Sequence, residues 1–188
     1  MKKFLSLFLC LLLLFSLFGC KPKEIDFPIN EPTRFSFTSG AGAWSTELFL
    51  YPDGTFTGNF HDSNMGEIGD GYPHGTVYTS DFEGRFIITE KQDKNTYALS
   101  LAELTNKYEP KKDWWIEDQI LYRASEPYGL EDGVTFFLYT PKKATAELSE
   151  MFLSWWPLRF EKEQPEALGC YGIENVEGGS GFFSDPEY

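Results

Sequence analysis

Histidine, cysteine and positive charge are all scarce in this chain. Its 188 residues include two histidines and three cysteines, and 16 Lys+Arg stand against 29 Asp+Glu, for a formal net charge of −13. Such acidity argues against nucleic acid and anionic lipid surfaces as partners, because both repel a protein of the same sign. There is no Gly-x-Ser-x-Gly, no His-Glu-x-x-His and no phosphate-cradling glycine loop opening a helix, so familiar hydrolase and nucleotide-enzyme signatures are missing. No repeat of 20–50 residues is visible, which argues against a solenoid or propeller. The longest apolar run, Phe4 to Leu14, is shorter than the roughly 20 residues a membrane-spanning helix needs.

What is present begins with an address. Lys2 and Lys3 precede that apolar run, the order of charges and hydrophobicity found in an export signal. The following Leu17-Phe18-Gly19-Cys20 resembles the bacterial lipobox, although Phe18 stands where the family has a small or β-branched residue. The resemblance implies a signal peptide at residues 1–19 and a lipid on Cys20, with the membrane as a partner through that lipid. It also implies an extracytoplasmic location on the outer face of the membrane. Lys21 is not an aspartate, which in a Gram-negative cell would direct the protein to the outer membrane. Cys10 would leave with the leader and Cys20 would carry lipid. Cys170 is then left without a partner, a packed core cysteine in a domain with no disulfide.

Residues 20–33 contain three prolines and no helical period, and read as the lipidated cysteine followed by a tether. From residue 34 to 177 the pattern is that of one β-rich globular domain, with 178–188 as a C-terminal tail. Candidate strands are 34–39, 44–51, 55–61, 75–80, 82–90, 95–104, 116–123, 134–140 and 170–176. Pro52-Asp53-Gly54 and Asp93-Lys94-Asn95 supply turns between pairs of them. Leu148, Met151, Phe152 and Trp155 fall at helical spacing. They predict one amphipathic helix, capped by Thr145 and stopped by Pro157, that packs on the sheet.

Many antiparallel strands followed by a late helix and a further strand resemble the calycin order. Gly42-Ala43-Trp44 resembles the Gly-x-Trp that opens lipocalin barrels, and Leu48 to Phe56 is similar to the first hairpin of bacterial lipocalin-like lipoproteins. The resemblance implies a mainly β fold, an antiparallel lipocalin-like up-and-down barrel with one C-terminal amphipathic helix. A β-sandwich satisfies the same alternation. It also implies an arginine stacked on Trp44, for which Arg123 and Arg159 are the candidates. The stretch from His61 to Tyr78 further resembles a family of uncharacterised secreted bacterial proteins.

Candidate chemistry concentrates between His61 and Gly75, which holds both histidines. His61, Asp62, Asp70 and His74 are the residue types of a zinc site, though no fixed spacing joins them. Asp62, Asn64 and their neighbours partly imitate a calcium loop. A structured loop over one end of the barrel explains the same glycines and acids without a metal. Two tryptophan pairs offer stacking platforms. In Trp114-Trp115 and Trp155-Trp156 adjacent strand residues point to opposite faces, so one member of each should be exposed, and Trp115 and Trp156, with His61 and His74, are taken as ligand-binding. No catalytic residue and no cofactor is implied. The expectation is a non-enzymatic, membrane-anchored domain binding a small molecule or an envelope protein. The alternative is a cell-envelope hydrolase using carboxylates and the His61–His74 loop.

Overall fold

Alternate residues are apolar along most of the strands, so one face of each must be buried, and the chain achieves this by curling one sheet into a cylinder. The computed structural model describes residues 25–131 and 133–186. The leader 1–19 and Cys20 lie outside the described residues. The strands are β1 (Thr33–Thr38), β2 (Trp44–Leu50), β3 (Thr55–Asn64), β4 (Thr76–Lys91), β5 (Thr96–Asn106), β6 (Trp114–Glu117), β7 (Ile120–Ala124), β8 (Phe136–Tyr139), β9 (Gly172–Asn175) and β10 (Ser180–Phe183). One turn of helix, α1 (Glu150–Leu153), lies between β8 and β9.

Eight strands form an antiparallel meander, β1-β2-β3-β4-β5-β8-β9-β10, and β10 pairs back onto β1 at Ser36↔Phe183. The fold is thus a closed up-and-down barrel of lipocalin-like form, not a sandwich. Closure removes the sheet edges that a disulfide-free domain would otherwise expose. The axis is filled with rings and aliphatic chains. Phe35, Phe56, Phe86, Phe136, Leu138 and Phe182 are each at most 1% exposed.

Two glycines set the curvature where β3 meets β4. Phe56 is paired with Gly84 and Phe82 with Gly58. A Cβ on Gly58 would stand 2.4 Å from the Phe82 ring, and one on Gly84 2.4 Å from the Phe56 ring. With no side chain at either position, both rings lie flat over the opposing backbone and meet edge to face, centroids 6.2 Å apart.

The expected turns form for the expected reasons. Asp53 Oδ1 accepts from the Thr55 amide at 3.0 Å and the Thr55 hydroxyl at 2.6 Å, and Gly54 takes φ +82°. Asp93 accepts from the Asn95 amide at 2.6 Å, the Thr96 hydroxyl at 2.8 Å and Lys143 Nζ at 3.0 Å. The Asn95 hydrogen bond first, then Lys143 and Thr96, hold its carboxyl at about 2, below the 3.8 of an ordinary aspartate.

Four elements differ from the sequence reading. Segments 75–80 and 82–90 are one continuous strand, because Asp81 sits exposed on the outer face and need not break it. Segment 116–123 is a hairpin, turned at Asp118 and Gln119, which adopt φ +49° and +64° without a glycine to announce it. The supposed tail 178–188 supplies β10, the strand that closes the barrel; Gly179, at φ +63°, reverses the chain into it. The amphipathic helix shrinks to one turn. Thr145 instead opens a short 3-10 segment, and Ser149 caps α1 by accepting from the Phe152 amide at 3.1 Å.

Outside the barrel, residues 141–170 cover the outer face of β8, β9 and β10. Tyr139, Phe152, Trp156, Leu168, Cys170 and Phe183 form a second core there, and Cys170 is fully buried with its thiol donating to Leu168 O at 3.7 Å. Glu174 ties the two layers together, accepting from Tyr139 Oη at 2.6 Å and Ser149 Oγ at 2.7 Å. Burial, reinforced by that hydrogen bond, pushes the Tyr139 phenol far above its usual range.

Candidate functional site

β4 is longer than the neighbour it shares with the rest of the barrel, and the site grows from that mismatch. β5 pairs with β4 only from Phe82 onward, which leaves the edge of Thr76–Thr79 open. The hairpin of β6 and β7 fills it, with β7 lying parallel to β4 in register Thr76↔Leu121 to Thr79↔Ala124. The hairpin is fastened at both ends. The Leu121 amide donates to Gly75 O at 3.0 Å, the His74 amide to Gln119 O at 3.1 Å, and the Ser125 amide to Thr79 O at 2.9 Å.

The registers align five residues in a row across five strands: Trp44 opposite Asp62, Asp62 opposite Tyr78, Tyr78 opposite Arg123, and Arg123 opposite Trp114. Residues directly opposite one another project from the same face of a sheet. At about 4.8 Å per strand, the row is roughly 19 Å long. It begins on the barrel's own wall and continues onto the hairpin, an alternation of ring and charge.

Two solvent-open cavities sit on this row and share Tyr78 and Ser125. The larger, about 610 Å³, lies under the hairpin, where Tyr72, Tyr78, Trp114, Ile116 and Leu121 make apolar walls and Asp70, Lys111, Lys112, Asp113 and Arg123 are the charged groups. Its size is that of a small-molecule site. Tyr78 Oη donates to Glu67 Oε2 at 2.8 Å, and Arg123 reaches Glu67 Oε1 at 3.4 Å, so one carboxylate holds these two neighbours in the row. The Glu67 hydrogen bond is also the main reason that the Tyr78 phenol is raised above its ordinary pKa. Lys111 stands at the cleft in a left-handed backbone conformation, φ +65°, held by its amide donating to Ala124 O at 2.9 Å. The smaller cavity, about 430 Å³, lies at the barrel mouth among Trp44, Phe60, Asp62, Tyr78, Ser125, Glu126, Tyr128 and Glu131.

The tryptophans are distributed differently from the sequence expectation. On β6 the two members do face opposite ways, but Trp115 is the occupied one, stacked on Tyr122 at 5.3 Å and an interplanar angle of 6°, and against Tyr108 at 4.9 Å. Trp114 is 66% exposed and lines the larger cleft, so it replaces Trp115 as the stacking candidate. Trp156 is 2% exposed, its indole N–H donating to Leu168 O at 3.0 Å, and is core, not ligand-facing. Trp155 packs near the barrel mouth with its N–H on Gly179 O at 2.9 Å. Both turn inward because they end a helical turn, where strand alternation does not apply.

The four residues of the metal reading are not brought together. His61 faces outward from β3, its Nδ1 3.3 Å from Ser45 Oγ, whereas Asp62 faces inward. His74 is exposed at the hairpin tip, Nδ1 3.3 Å from Asp118 O, and Asp70 lines the larger cleft. Among the described residues no group of three or more His, Cys, Asp and Glu is placed to hold a metal ion. The calcium-like positions 62–64 are strand, and Asn64 Oδ1 accepts from the Gly66 amide at 3.2 Å to form the turn that follows. Trp44 stands half-buried at one end of the barrel, and its ring neighbours are Phe37, Tyr128 and Trp155. Arg123 faces Glu67 and Arg159 lies over the Phe160 ring, so the arginine stack implied by the lipocalin resemblance is taken by aromatic rings.

Compared with known proteins, the chain matches no family model, no curated protein and no solved structure.

Proposed function

We propose that this protein is a lipid-anchored, extracytoplasmic binding protein, and that it holds an amphiphilic small molecule in the cleft beneath the β6–β7 hairpin. The observation that carries the reading is the exposed Trp114 indole beside Arg123 on the wall of a 610 Å³ cleft whose other walls are Tyr72, Ile116 and Leu121. A large ring left exposed in a concave apolar surface supports recognition more than folding. The cations Arg123, Lys111 and Lys112 favour a ligand with an acidic group next to its apolar part. The barrel supports the reading as a rigid frame, and Gly19-Cys20 supports the anchor. No arrangement of catalytic groups at the cleft favours a hydrolase.

The test uses an aromatic sulfonate, 1-anilinonaphthalene-8-sulfonate, titrated into the folded full chain in maltoside detergent. Saturable one-to-one binding is expected, weakened at least fivefold in Trp114→Ala and little changed in Trp115→Ala. Equal binding by wild type and Trp114→Ala, with melting temperatures unchanged, would sink the cleft. The anchor is tested separately by labelled palmitate, whose incorporation should vanish in Cys20→Ser.

A further inference from the structure

We infer that the smaller cavity at the barrel mouth is a second recognition site, built for a compact organic ammonium ion. Its walls are aromatic. Trp44 and Tyr128 stand nearly perpendicular, 78° apart with centroids 5.0 Å apart, and Phe60 lies 6.2 Å from Tyr128. Tyr78 completes the lining from β4. Trp44 and Tyr128 pack on one another edge to face, and the ring surface they leave open to the cavity, with that of Phe60 and Tyr78, attracts a positive charge spread over methyl groups.

The charges at this cavity have one sign. Asp62, Glu126 and Glu131 line it, and among the described residues no lysine, arginine or histidine does, whereas the neighbouring cleft holds Lys111, Lys112 and Arg123 beside Asp70 and Asp113. Tyr78 divides the two, with Asp62 on one side of it in the row and Arg123 on the other. The three carboxylates are nevertheless not grouped closely enough to chelate a metal ion. A dispersed negative rim around aromatic walls suits a bulky, weakly hydrated cation better than a small hard one, which demands converging oxygens at short range. The volume, about 430 Å³, lies within the range of small-ligand sites. The excess of acidic residues over the whole chain would also raise the local concentration of cations. The site is independent of the ligand assigned to the hairpin cleft and stands or falls without it.

The test is calorimetric titration of the full chain in maltoside detergent with choline and with its neutral isostere 3,3-dimethylbutan-1-ol, at fixed sodium chloride. Saturable choline binding is expected, with the alcohol several-fold weaker. Asp62→Asn and Tyr128→Leu should each weaken choline by roughly three- to thirty-fold, the span of a cation–π or rim-charge contribution. Trp114→Ala, in the other cleft, should leave it unchanged. Equal affinity for choline and the alcohol, no saturable binding of either, or choline binding unaltered in Asp62→Asn at wild-type melting temperature would each overturn the inference. The isostere comparison needs no mutant and holds even if Tyr128→Leu fails to fold.

Discussion

Gly58 and Gly84 show how a single missing side chain shapes the barrel. Each leaves a floor for an opposing phenylalanine ring, and a methyl group at either position meets ring carbons and a strand carbonyl at 2.3–2.4 Å. Gly58→Ala and Gly84→Ala are therefore expected to destabilise the fold by about 1–3 kcal/mol each through overpacking, read as a lowered denaturant midpoint. Asp93 acts electrostatically. Its folded pKa of about 2 lies below its ordinary 3.8, so it favours the folded state above pH 4 and that contribution is lost as the pH falls from 4 towards 2. Asp93→Asn should lower stability at neutral pH and flatten the decline between pH 4 and 2 in melting experiments. An unchanged acid limb would show that Asp93 does not carry it. Of these residues, Asp93 and Gly54 were legible as turn formers from their neighbours. Gly58 was not, because its role depends on which residue lies across from it.

At the scale of elements, alternation located most of the barrel strands to within a few residues, since burial on one face dictates it. Two kinds of element escaped. The β6–β7 hairpin turns at Asp118-Gln119, where left-handed conformations fall on residues without a glycine signal. The C-terminal strand Ser180–Phe183 is buried on both faces and shows no alternation, so it is recognisable only by what it pairs with. The helix was overestimated because Leu148, Phe152 and Trp155 pack on a second core around a single turn, and periodic spacing cannot distinguish that from a longer helix. Ser149 links this layer to the barrel, capping α1 while donating to Glu174. Ser149→Ala should cost about 1–2 kcal/mol by denaturant unfolding. Protection of amides in residues 141–170 should fall before that of the barrel strands. If exchange rises uniformly, the outer layer is not a separate unit.

Across the whole molecule, the site is a product of strand pairing between segments far apart in sequence. Trp44, Asp62, Tyr78, Arg123 and Trp114 are scattered over 80 positions of sequence, and they align only because β4 carries β3 on one edge and β7, in parallel, on the other. Trp44, Asp62 and Arg123 were marked in the sequence for other reasons, Trp115 was preferred to its neighbour Trp114, and Tyr78 was missed. No local signal specifies the parallel pairing of β4 with β7. The barrel interior is filled with phenylalanine and aliphatic side chains, and the proposed cleft lies off the axis, on this row.

The five tryptophans report on separate regions: Trp44 and Trp155 on the barrel mouth, Trp114 and Trp115 on the two faces of β6, and Trp156 on the outer core. Fluorine NMR of the 5-fluorotryptophan-labelled chain, titrated with 1-anilinonaphthalene-8-sulfonate, therefore tests the location of the main cleft most directly. The Trp114 resonance is expected to move most and saturably, with Trp155 and Trp156 still. A titration that shifts Trp155 or Trp156 while leaving Trp114 in place would contradict the assignment of the cleft.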